Sequence, residues 1–221
     1  MSGTNGKFGG VRLLIFDLDG TLIDSKLDLA LSVNAAIEHV GRAPLEHETI
    51  YSYVGRGAPM LVRQALGEDV TDEEADAGLA FFLSYYRAHM LDHTVPYPGV
   101  REGLELLNRH SMAVLTNKPV RFSEKILEGL GLAKYFRFVY GGNSFPTKKP
   151  DPIGVNVLLR DLDVAPREAM MVGDSDVDVL TARNSGAWAC GVSYGLGVEG
   201  MIAHPPDIML ASLVELPVHL G

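Results

Sequence analysis

Short apolar runs, separated by amphipathic stretches, set the pattern of this chain. The apolar runs predict buried strands over 11–16, 111–116, 136–141 and 169–174, with weaker candidates over 187–193 and 207–210. Amphipathic helical patterns lie between most of these runs. Strands that alternate with helices predict a mostly parallel sheet covered by helices on both faces, and therefore an α/β fold.

Residues 25–95 break this alternation, because they show helical patterns and no convincing strand. One helix is predicted over about 57–66, and a proline-rich stretch then leads back to the sheet. The predicted organisation is a flexible tail over 1–10, an α/β core formed by 11–24 and 96–221, and an inserted helical domain over 25–95.

Two helix starts in this insert carry capping signals. Ser25 with Asp28 three residues later predicts the start of the first helix, and Gly41 predicts its end. Thr71 with Glu74 forms the same pattern ahead of the last helix. The insert is therefore expected to consist of consecutive helices.

Composition limits the class of partner. The 221 residues include 28 acidic and 19 basic ones, and a formal net charge of −9 argues against a nucleic-acid binder. Cys190 is the one cysteine, so an intrachain disulfide is excluded and a reducing cytoplasm is expected. The first ten residues lack the apolar core of a signal peptide, and no run is long enough to span a bilayer.

The first predicted strand ends in two acids, Asp17 and Asp19. On an extended backbone their side chains point the same way. At about 4 Å and an effective dielectric near ~20, their repulsion is about 4 kcal/mol, which either a proton or a cation relieves. Mg²⁺ is the hard cation suited to such oxygens. The alternative is a plain turn at Asp19-Gly20, which also suits a hairpin and is compatible with a site.

Polar residues follow two further predicted strands. Thr116 and Asn117 end one, and Asp174, Ser175 and Asp178 follow another. Ligands of parallel α/β sheets bind beyond the carboxyl ends of the strands. Convergence of such groups from three strands therefore predicts a site.

These residue types suit phosphoryl transfer. Asp17 is a candidate nucleophile, and Asp19 is a candidate acid and base for the leaving group and for water. Thr116 and Asn117 offer hydrogen-bond donors to phosphoryl oxygens, and Lys149, which precedes a proline, offers positive charge. Asp174 would complete a metal site, and Asp178 would either orient it or hold a metal-bound water.

The same residues resemble the motifs of the haloacid dehalogenase-like hydrolases. In that family a nucleophilic Asp and an acid/base Asp two residues later match Asp17 and Asp19 in "DLDGTLIDS". The family's Ser or Thr after a strand matches Thr116, its Lys matches Lys149, and its "GDSxxD" motif matches 173–178.

The resemblance implies a three-layer, Rossmann-like core with an inserted helical cap that closes over the site. It also implies a Mg²⁺ ion held by the side chains of Asp17 and Asp174 and by the backbone carbonyl of Asp19. Asp178 and Ser175 would lie outside these ligands.

Two segments of the insert, "YVGRGAPMLVRQAL" and "YYRAHMLDHTVPYPGV", resemble the phosphoglycolate phosphatase branch of that family. Within the first, Arg56 lies between two glycines. It is either a bidentate partner for a substrate carboxylate or a solvated loop arginine.

The expected function is Mg²⁺-dependent hydrolysis of a small phosphate monoester, with phosphoglycolate as the preferred substrate, by a monomer or homodimer. A sugar-phosphate mutase of the same superfamily, a phosphorylated signalling receiver and an inactive binding module are the alternatives. The i, i+4 pair His89 and His93 is interpreted as structural rather than as a zinc site.

Overall fold

The computed structural model describes residues 7–220, and a parallel sheet forms its centre. In chain order the strands are β1 (Leu13–Phe16), β2 (Ile23–Asp24), β3 (Val95–Pro96), β4 (Ser111–Leu115), β5 (Phe138–Tyr140), β6 (Ala169–Gly173), β7 (Trp188–Val192) and β8 (Ile208–Leu210). Six of them form one sheet in the order β5-β4-β1-β6-β7-β8, with every neighbouring pair parallel. The predicted mostly parallel sheet is confirmed, and each predicted strand is present with slightly shorter bounds.

Helices fill most of the remaining chain. In order they are α1 (Lys26–His39), α2 (His47–Tyr51), α3 (Ala58–Leu66), α4 (Asp72–His89), α5 (Val100–Leu106), α6 (Val120–Gly129), α7 (Ile153–Leu162), α8 (Asp176–Ser185) and α9 (Leu216–Leu220). Short 3₁₀ turns cover Ala133–Tyr135, Pro166–Glu168, Val198–Ile202 and Leu213–Glu215. Among the described residues, none of the helices is long and apolar enough to cross a bilayer.

Strand β1 lies in the middle of the sheet, and its side chains contribute to the hydrophobic cores on both faces of the sheet. Leu14 and Phe16 belong to the core shared with α5, α6 and α9, whereas Leu13 and Ile15 belong to the core shared with α7 and α8. All four side chains are fully buried. This two-sided burial explains why the strand reads as a continuous apolar run rather than as an alternating one.

Helices α1 to α4 form the insert between β2 and β3. These two short strands pair antiparallel, with Ile23 opposite Pro96 and Asp24 opposite Val95, so the insert leaves and rejoins the core at one place. Helices α1 and α3 pack on α4. Helix α2 and the β2–β3 pair are too short to give a periodic signal, and the sequence pattern did not predict them.

The first helix of the insert starts as predicted but is capped differently. The Ser25 side chain makes no capping hydrogen bond, so the predicted capping box with Asp28 is wrong. The Asp28 carboxylate is buried and accepts hydrogen bonds from the backbone N–H groups of His93 and Thr94 and from the Thr94 hydroxyl. Those donors lie where the insert returns to the core, and because Thr94 is buried its polar groups need a protein acceptor, which Asp28 provides. The second capping box, Thr71 with Glu74, is confirmed.

The predicted flexible tail over 1–10 is wrong at Phe8. The side chain of Phe8 is buried, and its ring meets the ring of Trp188 edge to face at 5.1 Å. Burial of an aromatic ring against another stabilises this part of the chain. Residues 1–6, also within the predicted tail, lie outside the described residues.

Candidate active site

The candidate site lies at the carboxyl edge of three adjacent strands. Asp17 follows β1, Thr116 follows β4 and Asp174 follows β6, and β4 and β6 both pair with β1. Since the three strands are parallel and in register, their last residues end at the same edge. The backbone N–H of Asp17 also donates to Val172 O at 2.9 Å, which ties the first of these ends to the third.

Three buried carboxylates meet at this edge. Asp17, Asp174 and Asp178 each offer an oxygen within 4.8 Å of the other two. Lys149 is the cation among them, with its Nζ 2.9 Å from Asp17 Oδ1 and 2.6 Å from Asp178 Oδ1. The three carboxylates together carry more negative charge than this single ammonium group can neutralise.

Burial, together with the neighbouring negative charges, raises the pKa values of two of these acids. Burial, with help from Asp178 and Asp174, raises the pKa of Asp17 to about 7, although Lys149 opposes the rise. Burial and Asp178 raise the pKa of Asp174 to about 6. Without a further positive charge, protons therefore compete for these carboxylates near neutral pH.

Asp174 is held by hydrogen bonds from two separate loops. Oδ1 accepts from Thr21 Oγ1 at 3.0 Å, and Oδ2 accepts from the backbone N–H groups of Leu196 and Gly197 at 2.7 and 3.0 Å. Gly20 has a φ of 82° and passes so close that a Cβ there would lie 2.3 Å from Asp174 Oδ2. The carboxylate is thus fixed in position by its surroundings.

The turn predicted at Asp19-Gly20 is present, but the hairpin is not. The N–H of Gly20 donates to Ile23 O at 3.0 Å, which closes the turn after β1. Strand β2 then pairs with β3 instead of folding back on β1. The turn carries Asp19 beside Asp17, so the turn and the site occupy the same residues.

Asp178 is held within its own helix start. Its Oδ2 accepts from the N–H of Ser175 at 3.1 Å and from the Ser175 hydroxyl at 2.7 Å, in a capping box of α8. Its other oxygen faces Lys149. Asp178 therefore positions the Lys149 ammonium, while Ser175 positions Asp178.

The cluster fits a divalent cation with oxygen ligands. Asp17 Oδ1 is buried and has no hydrogen-bond partner among the described residues, although Lys149 Nζ lies within ion-pair distance. Carboxylate oxygens are the donors that Mg²⁺ prefers. The ligand set predicted from the sequence, Asp17, Asp174 and the carbonyl of Asp19, with Ser175 and Asp178 outside it, stays a prediction.

Asp19 turns away from the three-carboxylate cluster. Its two oxygens accept from Lys118 Nζ at 2.9 and 3.1 Å, and Oδ1 also accepts from the Ser25 hydroxyl. Lys118 is buried and lies 4.6 Å from the centroid of the Tyr86 ring. The sequence reading assigned no role to Lys118, although it follows Thr116 and Asn117 at the end of β4.

Asn117 offers an acceptor to the site rather than the predicted donor. Its Nδ2 donates to Gly55 O at 3.0 Å and to Lys149 O at 3.1 Å, so both amide hydrogens are engaged. Its Oδ1 is buried and has no partner among the described residues. Thr116 is buried at the strand end, and its Oγ1 accepts from the N–H of Lys118 at 3.3 Å.

A cavity of about 40 Å³ opens in front of Asp17 and Asp19. The core lines it with the residues from Thr116 to Pro119 and with Phe122, and the insert contributes residues that include Leu61, Phe82 and Tyr86. Arg56 is exposed and does not line this cavity, so its predicted contact with a substrate carboxylate stays a prediction.

The remaining sequence candidates have structural explanations. His89 is partly exposed and pairs with Asp92 at 2.8 Å, and the N–H of His93 donates to Asp28, in keeping with the structural interpretation. Cys190 is buried, and burial raises the pKa of its thiol, which makes it a poor nucleophile.

Comparison with known proteins gives one consistent result. The family model for haloacid dehalogenase-like hydrolases matches residues 14–192. A phosphoglycolate phosphatase of Vibrio parahaemolyticus is 40% identical over 93% of this chain and 94% of its own length. One of Pseudomonas fluorescens is 42% identical over 98% of this chain and 83% of its own length.

Solved structures agree with these relatives. The crystal structure of a predicted phosphoglycolate phosphatase from Haemophilus somnus matches with a TM-score of 0.89 and 30% identity, covering 94% of this chain and 96% of that chain. The match extends over the sheet and the helical insert alike. With the family model spanning the sheet from β1 to β7, the chain belongs to the haloacid dehalogenase-like hydrolase family.

Proposed function

We propose that this protein is a Mg²⁺-dependent phosphatase that hydrolyses a small phosphate monoester, with phosphoglycolate as the first candidate, through an aspartyl-phosphate intermediate on Asp17. The observation that carries the proposal is the group of three buried carboxylates within 4.8 Å, facing a single ammonium group at the carboxyl edge of the sheet. The names of the relatives, which are 40% and 42% identical, support phosphoglycolate as the substrate.

The first chemical step uses Asp17 as the nucleophile. A carboxylate oxygen of Asp17 bonds to phosphorus as the ester oxygen leaves, and Asp19 gives that oxygen a proton. Lys149, adjacent to Asp17, and the hydroxyl of Thr116 offer charge and a hydrogen bond to the phosphoryl oxygens. A bound Mg²⁺ would supply the positive charge that keeps the clustered carboxylates ionised.

The second step releases phosphate. Asp19 removes a proton from a water molecule, the water oxygen bonds to phosphorus, and the bond to Asp17 breaks. Inorganic phosphate and a free Asp17 carboxylate result, so atoms and charge balance over the cycle.

We propose that the insert, residues 25–95, acts as a cap over the core formed by 11–24 and 96–221. The hydrogen bond from Asn117 to Gly55 O joins the strand end of β4 to the insert, and residues of both parts line the cavity. Such a cover excludes water from the phosphoryl group and limits the size of the leaving group.

The cavity size, the net charge and the cysteine content support proposals about the substrate class and the cellular compartment. A small ester suits the small cavity, and the net charge of −9 disfavours nucleic acid as the substrate. A single cysteine suits the cytoplasm. The expectation of a monomer or homodimer stays a prediction.

Initial rates of phosphate release against a panel of esters test the proposal. The panel contains phosphoglycolate, hexose phosphates, nucleotides and pyrophosphate, each with Mg²⁺ and with EDTA. We expect the highest kcat/KM for phosphoglycolate, loss of activity in EDTA, recovery with Mg²⁺, and no turnover by Asp17→Asn. Failure to hydrolyse any ester, or rates that are unchanged by EDTA, would contradict the proposed function. Transfer of phosphate between sugar hydroxyls would identify a mutase.

A further inference from the structure

The leaving-group side of the cavity contains an unassigned cation. Among the described residues that line the cavity, Lys118 alone carries a positive charge. Its side chain is only 4% exposed, and the walls around it include the apolar side chains of Leu29, Phe82 and Phe122. A buried lysine in apolar surroundings requires anionic partners, and here the one that contacts it is Asp19.

Unpartnered polar atoms mark the same cavity. Among the described residues, Asn117 Oδ1 and Tyr86 Oη are buried side-chain atoms without a hydrogen-bond partner, and both residues line this cavity, whereas the buried Asp17 Oδ1 is paired with Lys149 Nζ at 2.9 Å. An unmet buried polar group costs about 1–3 kcal/mol, so a cavity with several of them favours a polar ligand. Asn117 Oδ1 and Tyr86 Oη therefore indicate where ligand groups bind.

Tyr86 can act as a hydrogen-bond donor there. Burial raises the pKa of its hydroxyl to about 12, so the proton stays on the oxygen near neutral pH. Its ring lies against Lys118. A protonated hydroxyl and an ammonium group side by side are a donor pair suited to a carboxylate.

Lys118 also retains capacity for a second anion. An ammonium group has three donors, and the contacts with Asp19 engage two oxygens of a single carboxylate. A ligand carboxylate at Lys118 would share the cation with Asp19. This arrangement places the ligand anion beside the proposed acid, at the leaving-group end of the ester.

We propose that Lys118 and Tyr86 bind the carboxylate of the substrate and so select phosphate esters of short hydroxy acids over neutral esters of the same size. This inference rests on the proposed phosphatase function and deepens it. It assigns to Lys118 the role that the sequence suggested for Arg56, whose side chain is exposed and lies outside the cavity lining.

The first test compares two substrates that differ only in this charge: phosphoglycolate and its neutral amide. The ratio of their kcat/KM values isolates the carboxylate, because any general effect of a substitution on the chemistry cancels. We expect Lys118→Met to lower this ratio about ten- to hundredfold, as for the loss of a charge-assisted hydrogen bond. Tyr86→Phe, which keeps the ring and its packing, should lower the ratio several-fold.

Two results would overturn the inference. Equal losses on both substrates in Lys118→Met would show that Lys118 only positions Asp19. A collapse of the ratio in Arg56→Gln, with the ratio retained in Lys118→Met, would assign the carboxylate to Arg56. Far-UV circular dichroism checks folding, and Tyr86→Phe decides the matter if Lys118→Met does not fold.

A binding experiment separates this inference from the proposed function. Asp17→Asn, loaded with Mg²⁺, is titrated with each compound by calorimetry, alone and combined with Lys118→Met. Tighter binding of phosphoglycolate than of the amide, lost in the double variant, supports the carboxylate site even if the wild-type protein hydrolyses neither ester. Equal affinities would refute the site even if hydrolysis is observed.

Discussion

Removing divalent ions should make the stability of this protein fall as the pH rises from 5 to 8. Asp17 has an ordinary pKa of 3.8, which burial and its acidic neighbours raise to about 7 in the folded chain. Between these two values the folded state holds a proton that the unfolded state has lost. The contribution to stability is therefore complete below pH 4 and disappears as the pH rises to about 7.

The size of the effect follows from the shift. At about 1.36 kcal/mol for each pKa unit, a rise of about three units corresponds to about 4 kcal/mol over the full range. Between pH 5 and pH 8, Asp17 accounts for about 3 kcal/mol of that loss. Saturating Mg²⁺ should reduce the loss, because the ion favours the ionised carboxylates that repel one another without it.

Urea unfolding at pH 5 and pH 8, in EDTA and in Mg²⁺, measures these free energies. Trp188, the one tryptophan, packs against Phe8 and gives a fluorescence signal for unfolding. Asp17→Asn is the matched control, since it keeps the size of the side chain and removes its proton equilibrium. If the metal-free variant loses as much stability between the two pH values as the metal-free wild type, Asp17 is not the group responsible and the reasoning fails.

Three other substitutions probe separate contacts. Lys149→Met should lower kcat by roughly 10²- to 10³-fold, as for other lost transition-state donors, measured by phosphate release; an unchanged kcat would contradict its role. Thr94→Val removes the hydroxyl that donates to Asp28 at 2.7 Å, and should lower the free energy of unfolding by about 1–3 kcal/mol in urea. Thr71→Ala breaks the capping box of α4 and should cost about 1 kcal/mol while leaving kcat/KM unchanged.

The sequence predicted those parts of the site that depend only on where each residue lies relative to the end of its own strand or helix. Asp17, Thr116 and Asp174 each follow an apolar run, and parallel strands put such residues at one edge. Predicting their convergence required only the alternation of strands and helices. The capping box at Thr71 was equally local, because its partners lie within one helical turn.

Contacts between distant segments could not be predicted in this way. Nothing near Asp28 in the sequence indicates that its partners are the backbone N–H groups of residues 93 and 94. The local capping rule suggested a short-range role instead, and the long-range contact prevailed because buried N–H groups need an acceptor. The sequence likewise gives no sign that Tyr86, on the insert, lines the cavity beside residues of the core.

Lys118 is a residue of the site whose role could not be predicted from the sequence, because its contact is also long-range. Its place after Thr116 and Asn117 was visible, but its importance depends on the approach of Asp19, 99 residues earlier in the chain. Only the parallel pairing of β1 with β4 brings these two residues together. A lysine directly after the polar end of β4 is thus a useful signal once the strand order is known.

The charges of the site predict the order in which Mg²⁺ and the substrate bind. Asp17 and Asp178 pair with Lys149, Asp174 lies beside them, and Asp19 pairs with Lys118, so four carboxylates oppose two ammonium groups. The surplus equals the charge of one divalent cation. A phosphate ester brings at least one further negative charge to a region where burial already raises the pKa of Asp17 and Asp174. Repulsion therefore opposes the ester until a cation is present, and Mg²⁺ should precede the substrate rather than follow it.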